Sequence, residues 1–124
     1  MKITQYKSND IKEKFTQYLK DMGYSEFTPK GTPSTVYDYT YRIDYVIYYE
    51  QFRDWFDIIE NIKQLLQDYS KYGIKGDIGS KSNNAVISAL RRFDEFLVYL
   101  ETKENTEYSY LVKGAIKTTT KKKI

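Results

Sequence analysis

The sequence has no cysteine and no histidine among its 124 residues. The first absence excludes disulfide frameworks, thiolate zinc sites and thiol nucleophiles. The second excludes every mechanism that needs an imidazole as base or ligand, the serine-protease type of triad included. Proline is scarce: both prolines stand in one short stretch, Thr28-Pro-Lys-Gly-Thr-Pro33. Long apolar runs are missing too. None approaches the ~20 residues of a membrane helix, and the chain turns polar directly after Met1 and Lys2, unlike a signal peptide. A cytoplasmic protein with no membrane partner and no cofactor is expected.

What is present fits one globular unit. The length suits a single domain, with 40% hydrophobic and 30% charged residues. Tyrosine is abundant, 14 residues. Codon bias of an AT-rich genome accounts for such a composition, and a tyrosine-rich surface also suits binding, because the ring is large, rigid and amphipathic. Charge is unevenly placed. Residues 1–102 carry 14 Lys and Arg against 15 Asp and Glu, whereas residues 103–124 carry 6 Lys against 2 Glu. A near-neutral domain over 1–102 with a flexible basic tail over 103–124 is expected.

Three segments have a clear helical period. In the first, Ile11, Phe15, Tyr18, Leu19 and Met22 form one stripe. Asp10 and Glu13 suggest a capping box, and Gly23 is a stop. In the second, Trp55, Ile58, Ile59, Ile62, Leu65, Leu66 and Tyr69 follow Asp54 as N-cap, with Gly73 as the stop. In the third, Val86, Ala89, Leu90, Phe93, Phe96, Leu97 and Leu100 follow Ser82 as N-cap. Residues 24–33 and 73–81 read as loops, the latter with three glycines.

Residues 34–50 satisfy two periods. Tyr37, Tyr39, Tyr41, Ile43, Tyr45 and Ile47 alternate with polar residues, which is a strand pattern. Val36, Tyr39, Ile43, Val46, Ile47 and Glu50 also fit a helix, with Ser34 as N-cap and an Asp38–Arg42 pair at i, i+4. The helix is preferred, because both neighbours are helical and a lone strand needs a partner. The expected fold is therefore all-α, a small bundle of four to five helices. The alternative is α+β, with a strand at about 37–47.

Chemistry has few footholds. Asp54, Asp57 and Glu60 lie on neighbouring turns, where acids near a helix start are ordinary. The glycines at 73–79 lack the Gly-Lys-Ser/Thr order of a phosphate loop. No catalytic or metal-binding residue is assigned. Nucleic-acid binding has better support. Lys81, Ser82, Asn83 and Asn84 cluster a cation, a hydroxyl and two amides at a helix start, where free backbone N–H groups suit a phosphate. Arg91 and Arg92 follow two turns on. The Lys30 loop leading to Arg42 is a second candidate contact region, and the tail lysines add sequence-independent attraction.

The order of segments carries a resemblance. Phe15-Thr-Gln-Tyr-Leu, Gly23-Tyr-Ser-Glu-Phe-Thr28, Tyr41-Arg-Ile, Trp55 opening a helix, and Ser88-Ala-Leu-Arg-Arg-Phe-Asp-Glu-Phe-Leu97 together resemble the SAM-like core-binding domain at the N-terminus of phage integrases and other tyrosine recombinases. The likeness spans about residues 11–100. It implies a helical bundle that clamps duplex DNA, with contacts at Thr28, Arg42, Lys81, Ser82, Asn83, Asn84, Arg91 and Arg92. The chain departs from the family in the inserted Pro29-Lys-Gly-Thr-Pro33. It also lacks the recombinase catalytic domain, whose Arg, His and Tyr constellation cannot exist without histidine. The resemblance thus implies a stand-alone, non-catalytic DNA-binding or accessory module of phage or mobile-element type. The competing expectation is a protein-interaction module that blocks or regulates a host protein, as a phage counter-defence protein does, through Tyr37, Tyr41, Tyr45 and Tyr48.

Overall fold

A computed structural model of the chain describes residues 8–103. They form an all-α bundle: α1 (Ser8–Asp21), α2 (Thr35–Glu50), α3 (Trp55–Asp68), a single turn α4 (Gly76–Gly79) and α5 (Lys81–Lys103). Among the described residues the only β feature is an isolated bridge between Phe27 and Pro33, which pinches the α1–α2 loop. No helix among them is long and apolar enough to cross a membrane. The domain boundary expected at 102 falls at the end of α5, and the tail beyond Lys103 lies outside the described residues.

The helices follow from their apolar stripes. Ile11, Phe15, Tyr18 and Leu19 of α1, Ile58, Ile59, Ile62 and Leu65 of α3, and Val86 to Leu100 of α5 meet in one core. Its centre is aromatic. Phe15 and Phe93 pack edge-on at 5.2 Å between ring centroids, Trp55 lies 5.7 Å from Phe93, and Phe96 lies 5.5 Å from Phe15, Tyr18 and Phe93. Asp44 of α2 ties the bundle together, accepting from the Trp55 indole N–H (2.9 Å) and from Lys12 Nζ (2.7 Å). Buried tryptophan N–H groups need such an acceptor.

The alternation over 37–47 does not make a strand. In α2 the residues Val36, Thr40, Ile43 and Val46 are buried, so the helical period governs. The alternation is a coincidence of spacing: in the helix Tyr37, Tyr41 and Tyr45 share one side, while Tyr39 falls on the side of Ile43 and Ile47 and packs against the core. With no second strand to pair with, burial against α1, α3 and α5 decides the outcome.

Helix ends differ in detail from the expected ones. α1 closes in a Schellman motif at Gly23 (φ +95°), where the Gly23 N–H donates to the Lys20 carbonyl and the Tyr24 N–H to the Leu19 carbonyl. Met22, expected in the apolar stripe, lies past the last turn and is exposed. α1 begins at Ser8, which places Asp10 inside the first turn rather than at the cap. Ser34 holds the N-cap position of α2, but its side chain makes no capping bond. Among the described residues Asp38 and Arg42 do not pair; the Arg42 guanidinium lies over the Tyr41 ring instead. Asp54 caps α3 as expected, accepting from the Phe56 N–H at 3.0 Å.

The largest departures lie between α3 and α5. α3 ends at Asp68, well before Gly73. The chain then folds back on the helix end, with the Lys75 N–H donating to the Asp68 carbonyl at 2.7 Å. The glycines serve close approach: a Cβ on Gly73 would stand 2.0 Å from the Gln67 carbonyl oxygen, and one on Gly79 1.9 Å from that of Tyr69. The segment expected as a loop thereby holds the α4 turn. Ser82 does not cap α5. Ser82, Asn83 and Asn84 all adopt left-handed backbone (φ 55°, 60° and 65°), and regular right-handed winding starts only after them. Asparagine is among the non-glycine residues that tolerate this region best.

Candidate nucleic-acid interface

The fold-back of 69–80 against the start of α5 leaves a cleft of about 530 Å³, lined among others by Lys71, Asp77, Ser80, Asn84, Ile87 and Arg91. Pockets that hold small organic ligands span roughly 300–1,000 Å³. The cleft wall is anchored from α2. Glu50 accepts from the Tyr69 hydroxyl (2.6 Å) and from Lys75 Nζ. Tyr69 is wholly buried, and burial together with the Glu50 carboxylate raises its pKa far above that of a free phenol. Lys75 also lies over the Tyr49 and Tyr69 rings, so its charge is committed to this anchor.

The charged residues separate into two sets. Lys12, Lys20, Arg53, Lys63, Lys75 and Arg92 form ion pairs. The tightest exposed–buried pair joins Arg53 to Asp57, whose carboxylate accepts from the Arg53 guanidinium (3.0 Å) and backbone N–H (2.8 Å). The guanidinium bond holds the Asp57 pKa below the usual carboxylate range, while Arg53 itself is raised. Among the described residues Lys30, Arg42, Lys71, Lys81 and Arg91, by contrast, form no ion pair; Lys30 and Arg42 are on the α1–α2 loop and α2, whereas Lys71 and Arg91 line the cleft and Lys81 follows its Ser80.

The residues singled out from sequence divide accordingly. Lys81, Ser82, Asn83 and Asn84 are exposed together on the left-handed turn. Their backbone is not a free helix start, since the Asn84 N–H donates to the Ser80 carbonyl. Arg91 lines the cleft. Arg92 does not: successive helix residues point about 100° apart, and its guanidinium turns the other way, to the Tyr24 hydroxyl (3.3 Å) and Glu95 (2.8 Å). Burial works against the Arg92 charge, but these partners outweigh it and its pKa is raised. Thr28 is occupied within its loop by Thr32 (2.7 Å), Lys30 is exposed at the loop tip, and Arg42 is half-buried on α2.

Tyr37, Tyr41, Tyr45 and Tyr48 fall on one face of α2, at helical spacings of four, four and three. Tyr48 is 81% and Tyr41 59% exposed; Tyr37 and Tyr45 are half-buried, against Phe27 and Tyr49 respectively. Sequence reasoning missed Lys71, Asp77 and Ser80, which belong to no periodic stripe. The Lys71-Tyr72 step beside three glycines was the available sign. Among the described residues no group of three or more acidic side chains is placed to hold a metal ion. Comparison with protein-family models, curated proteins and solved structures finds no match for this chain.

Proposed function

We propose that the protein is a non-catalytic nucleic-acid-binding module that engages duplex DNA through the α4–α5 end. The observation that carries the reading is a grouping of cations: among the described residues Lys71, Lys81 and Arg91 form no ion pair and stand together at one end of the bundle, whereas the other such cations, Lys30 and Arg42, are on the α1–α2 loop and on α2. Beside them the hydroxyl of Ser82 and the amides of Asn83 and Asn84 supply neutral donors of the kind that position a phosphate backbone. The segment order similar to integrase core-binding domains supports the same reading.

Anisotropy of a labelled duplex, titrated at several salt concentrations, tests it. Affinity in the range ~10⁻⁴–10⁻⁶ M at physiological salt is expected, rising at low salt. Arg91→Ala and Lys81→Ala each reduce the salt slope by about one. Arg92→Ala leaves the slope unchanged, because its guanidinium already serves Tyr24 and Glu95. No binding at low salt removes this reading. In that event the exposed Tyr41 and Tyr48 favour the second one, a protein partner docked along α2.

A further inference from the structure

The cleft has a concave shape that a regular duplex does not fill. Lys71 and Arg91 against Asp77 leave it a net charge of one positive unit, enough for a single phosphate rather than a tracked strand. It is concave, whereas regular duplex DNA presents its bases inside a stack. Next in the chain to Lys71, which lines the cleft, is Tyr72, 90% exposed, with the Lys71 ammonium 5.3 Å from its ring centroid. Tyr72 buries nothing and caps nothing, yet it shares the position of a cation that lines the cleft. An exposed aromatic face beside a cation is the arrangement that receives an unpaired base, the ring stacking on the base while the cation meets the phosphate.

We infer that the cleft takes one unpaired nucleotide adjoining a duplex, with Tyr72 stacked on the base while Lys71 and Arg91 hold the phosphate at the junction, as they hold a terminal backbone phosphate of a blunt duplex. The inference rests on the DNA-binding reading and specifies the form of DNA. Lys81 and the left-handed turn hold the duplex backbone at the edge. The cleft, next to them through Ser80 and Asn84, receives the first base beyond it.

The test compares three labelled probes with the full chain: a blunt duplex, the same duplex with a short single-stranded overhang, and the overhang strand alone. The overhang duplex is expected to bind about 10-fold tighter than the blunt one, the scale of one base–aromatic stack. Tyr72→Ala removes that advantage and leaves blunt-duplex affinity as it was. Its fold, checked by thermal unfolding, is unchanged because the side chain packs on nothing. If overhang and blunt duplex bind alike, or if Tyr72→Ala weakens both equally, the inference is overturned while DNA binding stands. If no probe binds, both readings fall.

Discussion

Phe93 and Gly79 are both buried, for opposite reasons. Phe93 brings bulk to the meeting point of α1, α3 and α5, ringed by Phe15, Trp55 and Phe96. Gly79 contributes the lack of a side chain, which lets α4 lie directly on the Tyr69 carbonyl. The first region is stabilised by apolar area and aromatic edge contacts. The second is a shaped piece of backbone, held by main-chain hydrogen bonds, three glycines, a left-handed turn and the Glu50 anchor. The comparison teaches where each property of the molecule resides: stability in the packed helices, and the concave, cation-bearing surface at the end where packing gives way to backbone fit.

Substitutions can break this contrast. The largest effect is expected at Phe93→Ala, about 3–5 kcal/mol of stability, since a fully buried ring leaves a cavity among aromatics that cannot close; urea unfolding measures it. A loss under about 1 kcal/mol, usual for surface positions, would mean that the aromatic cluster is not the source of stability. Next comes Gly79→Ala. A methyl group 1.9 Å from a carbonyl oxygen forces α4 outward, at a cost of about 1–3 kcal/mol. Its signature is loss of DNA binding in a protein whose Trp55 environment is unchanged, so unaltered binding would contradict the role given to close approach.

The helical half was legible from residues such as Phe15, Ile62 and Leu90, because burial on one face of a helix imposes a 3.6-residue period. Even α2 yielded to this reasoning once the need of a strand for a partner was considered. The cleft was not legible, because nothing in it repeats. Gly79 reads as a loop residue until Tyr69 is seen against it. Ser82 reads as a cap until its φ is known, and Arg91 and Arg92 are equivalent in sequence although one faces the cleft and the other a tyrosine hydroxyl. These are outcomes of tertiary closure and of main-chain direction, which composition and spacing do not encode.

Two smaller effects sharpen the comparison. Asp57→Ala should lower the Tm modestly at neutral pH, by removing the acceptor of the Arg53 guanidinium and N–H. The Asp57 pKa is depressed in the folded state. Its contribution is therefore complete above the unfolded carboxylate value, near ~4, and is lost as pH falls through the lower folded one. Thermal unfolding of wild type and variant should converge in acid, and a gap independent of pH would contradict the pairing. The smallest effect is a gain. Gln51 closes α2 in left-handed conformation (φ 59°), so Gln51→Gly removes a steric penalty of ~1–2 kcal/mol. It also adds freedom to the unfolded chain, about 0.4–1 kcal/mol. A net rise of under about 1 kcal/mol is expected, read as a small upward shift in Tm.

Trp55 is the protein's one tryptophan, enclosed by phenylalanines and hydrogen-bonded to Asp44, whereas the cleft carries only tyrosine. Emission excited on the red edge of indole absorption therefore reports the bundle alone. Followed beside the anisotropy of a labelled duplex, it distinguishes occupation of the surface from disturbance of the interior without any label on the protein.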